Sequence, residues 1–411
     1  MKGEREFKGT VVHLVPAMEQ GGVERVVCNL NRAAVRAGWR SVVISRGGRL
    51  VGQIVADGGE HVALDLKSKN PLTYLTRAWK LRKVINNRII EWSNNRMASD
   101  AGGAKILVCA HSRVPAWLYV GARKLDSFIR KFDCLKLRTS TLSKLRTPSH
   151  SIIRLFDYSI ISQLPWITYA HGANSVSRYS AVMTRGDRVV VPSKFLAGYL
   201  IENYAGDGTP ASKTGTRNAA LSLRERIRVI YPAVDFERFD PAKVDAAAVA
   251  ALRREWGVRD GERVVMSIGR ITALKGFDNV IRDFAANAAG KLVIVGGVDK
   301  GKEPLFASLK KLAAELGVAD RVVFAGARSD IPECLMVADE VVSGNVTKPE
   351  SFGLSVAEAL AMGKPVRLMR NFGGAGEILA ECGRRIAREQ NRDAQRRVVV
   401  ARAHSRDLPG G

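Results

Sequence analysis

Short apolar runs alternate with helical patterns along most of the chain. Residues 11–15 form a mostly apolar run, and after a loop the residues 23–37 repeat apolar positions at helical spacing as far as Gly38. Residues 40–45 predict the next strand. Because the order of strand, loop and helix repeats, the sequence predicts an α/β protein built on parallel, doubly wound sheets.

Three apolar runs in the second half of the chain lead into glycine. These glycines are Gly269, Gly297 and Gly326. Glycine allows the backbone to turn sharply or to approach a ligand closely, so we expect binding loops at these three strand ends. After the last of them, Asp330 and Pro332 predict the start of a helix.

The stretch 348–358 joins a charged loop to a helix. Apolar residues from Leu354 onward keep helical spacing, so residues 353–355 are expected to expose unpaired amides at a helix N-terminus, which attracts phosphate. Glu350 lies in the loop and Glu358 lies more than a turn into the helix, so the two carboxylates need different hydrogen-bond donors. A sugar nucleotide carries hydroxyls at both ends of its diphosphate. The spacing alone also fits an ordinary helix start with a solvated Glu358.

Cations and histidines follow other predicted strands. Arg270 and Lys275 share one loop, where they are either a diphosphate cradle or solvated surface charges. His111 and His171 follow two apolar runs in the first half, and strand ends of this kind open on the ligand crevice of a doubly wound sheet. Each histidine can instead be a structural residue.

The stretch 348–358 resembles the acidic signature of the retaining GT-B glycosyltransferases of group one type, glycosyltransferase family four. The resemblance covers roughly residues 9–378, and residues 174–193 are similar to the bacterial lipopolysaccharide-core branch. It implies two Rossmann-like, doubly wound domains that face a cleft. It also implies that Glu350 contacts the donor sugar and that Glu358 contacts the nucleotide ribose.

The resemblance extends these roles to other residues. His171 with Gly172 is similar to the family's His-Gly pair, whose imidazole contacts the donor sugar, so His171 ranks first and His111 second. Arg270 and Lys275 take the place of the family's diphosphate-binding cations. The implied catalytic residues are His171, Arg270, Lys275 and Glu350. The implied nucleotide-sugar contacts are Gly21, Gly22, Gly269, Gly297, Gly326, Phe352, Gly353, Leu354, Ser355 and Glu358.

The predicted domains are an acceptor-side domain at 1–231, a nucleotide-sugar-binding domain at 232–382 and an irregular basic tail at 383–411. Three segments look like insertions relative to the family: 86–104, 126–163 and 206–224. The second of them is either an amphipathic element that contacts a membrane or a disordered loop. The sequence also departs from the family after Val366, where Arg367 and Arg370 replace apolar residues, so we expect a truncated or altered C-terminal end.

Composition narrows the class of protein. The chain has 411 residues, 46% of them hydrophobic, and no apolar run of about 18 residues, which predicts a cytoplasmic protein of two domains. The five cysteines are scattered, so they predict neither a zinc site nor a disulfide framework.

The net charge of +25 is unevenly distributed. Residues 1–230 hold 37 basic and 16 acidic side chains, whereas residues 231–382 hold 20 and 21. Basic residues are not interleaved with aromatic ones and no nucleic-acid-binding motif occurs, so we expect no nucleic-acid partner. An anionic inner-membrane surface or a phosphorylated glycolipid fits the basic half better, and the protein is then peripheral on that membrane.

The sequence therefore predicts transfer of a hexose or heptose, with retention, from a UDP-, GDP- or ADP-linked sugar to a lipid-linked or lipopolysaccharide acceptor. No metal or other cofactor is expected, because no Asp-x-Asp pair follows a strand. Two alternatives remain open. One is an inactive homologue that binds a nucleotide sugar or an anionic glycolipid, and the weaker one is a nucleotide-sugar epimerase.

Overall fold

The computed structural model describes residues 7–19, 21–94, 105–139, 161–205, 222–370 and 372–390. The chain divides into two compact units. The first unit comprises Met1–Val191 and Ala197–Ile230, and the second comprises Pro192–Leu196 and Tyr231–Gly411. This division falls next to the predicted boundary, while the role assigned to each domain stays a prediction.

The first unit is built on a parallel sheet, in which seven strands lie within the described residues, in the order β3-β2-β1-β4-β5-β6-β7. The strands are β1 Thr10–Leu14, β2 Arg40–Ser45, β3 Glu60–Ala63, β4 Ile106–Ala110, β5 Trp166–Tyr169, β6 Arg188–Val191 and β7 Ile227–Val229. β1, β4 and β5 are consecutive neighbours, so the residues at their carboxyl ends meet at one edge of the sheet.

Helices connect these strands. They are α1 Gly22–Arg36, α2 Val51–Ala56, α3 Tyr74–Asn94, α4 Arg113–Thr139, α5 Lys194–Tyr204 and α6 Leu223–Arg226. Residues 86–94 and 126–139, which looked like parts of insertions, continue α3 and α4. Asp126 is fully buried and accepts a hydrogen bond from Arg82 at 3.1 Å, so this part of α4 is anchored in the unit. The remaining parts, 95–104, 140–160 and 206–221, lie outside the described residues.

The second unit repeats the arrangement with a parallel sheet of five described strands in the order β10-β9-β8-β11-β12. The strands are β8 Val264–Ile268, β9 Lys291–Val295, β10 Val322–Gly326, β11 Glu340–Ser343 and β12 Val366–Leu368. The helices are α7 Ala246–Glu255, α8 Phe277–Asn287, α9 Glu303–Glu315, α10 Ile331–Val337, α11 Leu354–Ala361 and α12 Gly373–Gln390.

Hydrophobic cores cover both faces of the second sheet. Val264 and Met266 pack in one core, whereas Val265 between them packs in the other. Successive side chains of a strand point to opposite faces, so strands buried on both sides read as continuous apolar runs. The prediction of doubly wound α/β domains is confirmed.

The C-terminal end of the second unit is more regular than its sequence suggests. Arg367 lies within β12, where its guanidinium bonds Glu340 and Asp283 at 2.8 Å each. These two carboxylates explain how a charged residue occupies this strand. The predicted irregular tail is wrong for residues 383–390, which continue α12, and residues 391–411 lie outside the described part.

An ion pair replaces the predicted side-chain cap at the start of α10. Asp330 precedes α10 but makes no side-chain cap, because its carboxylate pairs with Arg328 at 2.6 Å instead.

Within the ranges described above, no helix is long and apolar enough to span a membrane.

Candidate functional site

The N-terminus of α11 is the first part of the candidate site in the second unit. α11 begins at Leu354, and Gly353 before it has φ +92°, a left-handed conformation that favours glycine. A Cβ atom at Gly353 would lie 2.9 Å from the Cβ of Ala375 on α12. The amide of Gly374 donates to the carbonyl of Glu350 at 2.8 Å, so α12 packs directly on the loop that leads into α11.

The left-handed conformation of Gly353 and its closeness to Ala375 give a prediction on stability. We expect Gly353→Ala to lower the free energy of unfolding by about 2–4 kcal/mol, because it adds a steric contact with Ala375 to the cost of about 1–2 kcal/mol for a left-handed residue. Gly363→Ala is the matched control, since Gly363 has φ +68° but open space around its Cβ position. Urea unfolding of both variants measures the difference. Equal losses would show that the Ala375 contact is unimportant.

An ion pair between Lys275 and Glu350 is the second part of the site. Lys275 Nζ lies 2.6 Å from Glu350 Oε1, and the two side chains are only 26% and 12% exposed. Lys275 lies in the loop after β8, and a Cβ atom at Gly269 would come within 2.7 Å of Lys275 Cε. Gly269 is therefore needed to let the lysine side chain pass towards Glu350.

Arg270 is held differently from Lys275. Its guanidinium pairs with Asp299 at 3.1 Å, and both side chains are more than half exposed. An exposed pair of this kind contributes roughly 0–1 kcal/mol, so a stronger anion can draw Arg270 away from Asp299. The next residue, Ile271, donates its amide to the carbonyl of Gly297 at 3.0 Å, which joins the loops after β8 and β9.

The other predicted contacts in the second unit have different surroundings. Gly326 has φ +71° and open space around its Cβ position, so its glycine requirement is conformational. Ser355 and Glu358 are half-buried on α11, at one and four residues beyond its first residue. Phe352 is half-buried and its ring lies 6.3 Å from that of Tyr231. Cations, helix amides and carboxylates thus surround one loop system, a combination suited to a ligand with anionic and hydroxyl groups.

A chain of histidines is the main feature of the candidate residues in the first unit. His171 Nε2 lies 3.0 Å from His111 Nδ1, and His111 Nε2 lies 2.9 Å from His13 Nδ1. The ring of His171 stacks on Tyr169 with 4.1 Å between centroids. Sequence reasoning missed His13 because this residue lies within β1 and not after it.

Burial keeps these histidines neutral near pH 7. Loss of solvation lowers the pKa of His13 to about 4 and that of His171 to about 3. Burial, together with the two neighbouring imidazoles, also lowers the pKa of His111 well below 6.5. The donor atoms of His13, His111 and Cys109 lie within 4.8 Å of one another. The bond between the two imidazoles uses His13 Nδ1 and His111 Nε2, whereas His13 Nε2 has no hydrogen-bond partner among the described residues.

The paired glycines of the first unit do not show a conformational need for glycine. Gly21 is extended, with φ −173°, and Gly22 is already the first residue of α1. Their backbone amides nevertheless lie at a helix N-terminus after β1, where the family resemblance implies a loop beside the donor phosphates. Their role in binding stays a prediction.

Part of the second unit matches a known protein family. A family model described as "Glycosyl transferases group 1" matches residues 249–398. The D-inositol 3-phosphate glycosyltransferase of Mycobacteroides abscessus is 33% identical over 187 residues, which are 45% of this chain and 37% of that protein. The protein of the same name from Mycobacterium ulcerans is 36% identical over 233 residues, 53% of this chain and 49% of that one. The chain thus spans less than half the length of these two curated relatives.

Solved structures resemble nearly the whole chain. A glycosyltransferase from Rickettsia africae has a TM-score of 0.64 at 23% identity and covers 90% of this chain and 81% of its own. Anabaena HepE, solved with UDP-glucose, has a TM-score of 0.62 at 19% identity, covering 90% and 82%. WaaG, a glycosyltransferase involved in lipopolysaccharide biosynthesis, has a TM-score of 0.51 at 14% identity, covering 91% and 84%.

These neighbours and the two parallel-sheet units define the GT-B fold. The family model and the curated relatives show that the part of the chain they match is similar to the group 1 glycosyltransferases. The predicted resemblance and the predicted fold are confirmed.

Proposed function

We propose that the protein transfers a sugar, with retention, from a nucleotide-sugar donor to a lipid-linked or lipopolysaccharide acceptor. The observation that carries the proposal is the ion pair between Lys275, in the loop after β8, and Glu350, in the loop that leads into the N-terminus of α11. This arrangement offers positive charge to a diphosphate and a carboxylate to sugar hydroxyls within one small region.

The residues of the second unit act on the departing diphosphate. Transfer develops positive charge on the sugar ring and negative charge on the leaving group, so preorganised donors lower the barrier. Lys275 has three N–H donors, of which one faces Glu350 and two can bind phosphate oxygens. Arg270, released from Asp299, and the amides at the start of α11 supply further donors. Glu350 holds sugar hydroxyls and Glu358 the ribose, and the proposal requires no metal ion.

The donor and the acceptor are proposed by class. The neighbour solved with UDP-glucose makes UDP-sugars the first donors to test, followed by GDP- and ADP-sugars. Hexose and heptose are both included among the sugars. The curated relatives are named for D-inositol 3-phosphate, so a phosphorylated inositol belongs in the acceptor panel beside lipid-linked and lipopolysaccharide-core acceptors.

Donor consumption with and without acceptor tests the proposed function. We expect sugar to leave the nucleotide much faster when the correct acceptor is present, with the anomeric configuration retained in the product. A nucleotide sugar that binds but is never consumed would indicate the inactive homologue. Conversion of the free donor to an epimer, independent of acceptor, would indicate an epimerase.

A surface on the first unit supports the proposed contact with an anionic membrane. Leu72, Leu75 and Trp79 are 89%, 64% and 48% exposed. Leu72 lies in the short 3-10 turn Pro71–Thr73 just before α3, and Leu75 and Trp79 are four residues apart on one side of α3. Lys80 and Lys83 on the same helix are exposed, and the ammonium of Lys83 lies 5.5 Å from the centre of the Trp79 ring. Apolar side chains flanked by lysines suit an interface with anionic lipid.

Vesicle co-sedimentation measures this contact. We expect the bound fraction to rise with anionic lipid content and to fall as salt is added, because exposed charges are screened beyond about 10 Å at 0.1 M salt. Leu72→Ser with Leu75→Ser should weaken binding roughly tenfold or more, since a fully buried leucine contributes about 1.5–3 kcal/mol. Val55→Ser on α2, where Val55 is 57% exposed, is the matched control. Equal binding to neutral vesicles, or equal losses in both variants, would reject the contact.

A further inference from the structure

Three histidines from three adjacent strands form a continuous hydrogen-bonded chain. His13 lies in β1, His111 follows β4 and His171 follows β5. The N···N distances along the chain are 2.9 and 3.0 Å. The amide of His111 donates to the carbonyl of Leu14 at 3.0 Å, which ties the main chain of the middle histidine to β1, and the ring of Tyr169 stacks on that of His171.

The positions of the protons along the three hydrogen-bonded histidines are restricted. A neutral imidazole carries one N–H and one lone pair, so both bonds must run in the same direction. The protons point either from His13 towards His171 or from His171 towards His13. In the first arrangement His13 Nε2 is a lone pair, and in the second it is an N–H.

The surroundings of His13 select the direction. His13 is 3% exposed, and its Nε2 is buried without a hydrogen-bond partner in the described part of the chain. Among buried backbone groups, an N–H without an acceptor is rarer than an under-satisfied acceptor, and we expect the same order for imidazole nitrogens. The favoured direction therefore runs from His13 Nδ1–H to His111 Nε2, and from His111 Nδ1–H to His171 Nε2.

We propose that His13 and His111 are positioning residues that fix His171 in the tautomer with its proton on Nδ1. In this state His171 Nε2 is occupied as an acceptor, and Nδ1–H is the group that remains to donate to a ligand oxygen. No partner for Nδ1 occurs among the residues that the structure describes. His171 then acts as a hydrogen-bond donor to a sugar hydroxyl and not as a base. The catalytic part of this inference rests on the proposed function, whereas the tautomer does not.

Nitrogen NMR of the full chain labelled with ¹⁵N-histidine tests the tautomer directly. The chain has six histidines, and His171→Gln identifies the His171 signals by their loss. We expect a protonated Nδ1 and an unprotonated Nε2 for His171 at pH 7. The opposite pattern would overturn the proposal.

Variants of His111 test what fixes the tautomer of His171. His111→Leu removes the donor to His171, so we expect the two tautomers of His171 to become mixed. His111→Asn places an amide near the former Nδ1 and should restore the Nδ1–H form. His61→Asn is the matched control, because His61 is a half-buried histidine of the same sheet that bonds Ser45. An unchanged His171 tautomer in folded His111→Leu would overturn the proposal.

A second variant covers the case in which His111→Leu does not fold. His13→Leu removes the first donor of the chain, and we expect it also to mix the tautomers of His111 and His171. A His171 tautomer that is unchanged in His13→Leu would contradict the assigned direction.

Kinetics separate the tautomer from its catalytic role. In the transfer reaction, His111→Leu should lower kcat roughly 10- to 100-fold, by analogy with the hydrogen-bond partners of metal-binding histidines, and His111→Asn should recover most of the loss. Wild-type turnover in His111→Leu, with a changed tautomer, would overturn the positioning role. If the wild-type chain transfers no sugar, the proposed function fails while the NMR result still decides the tautomer.

Discussion

Lys275→Ala is expected to reduce kcat/KM by about 30- to 1,000-fold, the range of about 2–4 kcal/mol that a preorganised donor to a transition-state anion contributes. The variant removes the cation that meets the leaving diphosphate. It also leaves the carboxylate of Glu350, only 12% exposed, without its ion-pair partner. The loss should therefore appear in donor binding as well as in turnover.

Two further variants calibrate this result by steady-state kinetics and donor titration. Arg270→Ala should also weaken donor binding and turnover, but by less than Lys275→Ala does, because Arg270 is held by an exposed pair with Asp299. Lys311→Ala is the matched control, since Lys311 is a largely exposed lysine of α9 that pairs with Glu315. Unchanged kinetics in both Lys275→Ala and Arg270→Ala would refute the diphosphate assignment.

Glu350→Gln should lower kcat by roughly 10- to 100-fold while nucleoside diphosphate binds as tightly as before or more tightly. The carboxylate balances the positive charge that develops on the sugar ring, so its loss is felt mainly in the transition state. The substitution also frees Lys275 from a negative neighbour at 2.6 Å, which favours the diphosphate.

Glu358→Gln should have the reverse effect, with affinity for the nucleoside diphosphate reduced about tenfold and kcat little changed. A ribose contact is remote from the bond being broken and is made about equally in ground and transition states. Nucleotide titrations beside steady-state kinetics measure both variants, with circular dichroism to confirm folding. If the two substitutions act alike, Glu350 and Glu358 do not have separate roles.

The fold could be predicted well because its central strands are buried on both faces. Val264, Val265 and Met266 fill two different cores, so the strand reads as an uninterrupted apolar run. The last strand of the second unit, β12, could not be predicted in this way. Arg367 breaks the apolar pattern of β12, and only the structure shows the two carboxylates, from α8 and β11, that compensate it.

The candidate site was predictable in residue type more than in geometry. The sequence indicated Lys275 and Glu350 separately, but they are 75 residues apart and nothing local shows that they form an ion pair. It ranked His171 above His111, whereas the structure joins both to His13 in one chain. Their strand neighbours follow from the order of the sheet, which a single sequence does not specify.

Native mass spectrometry of the full chain with a panel of UDP-, GDP- and ADP-sugars tests the central claim most directly. The account predicts that one donor binds with 1:1 stoichiometry to the wild-type chain and to Lys311→Ala, and that Lys275→Ala loses this complex. If no nucleotide sugar binds, or if Lys275→Ala binds it as well as the wild-type chain does, the donor site is not the one built from Lys275, Glu350 and the N-terminus of α11.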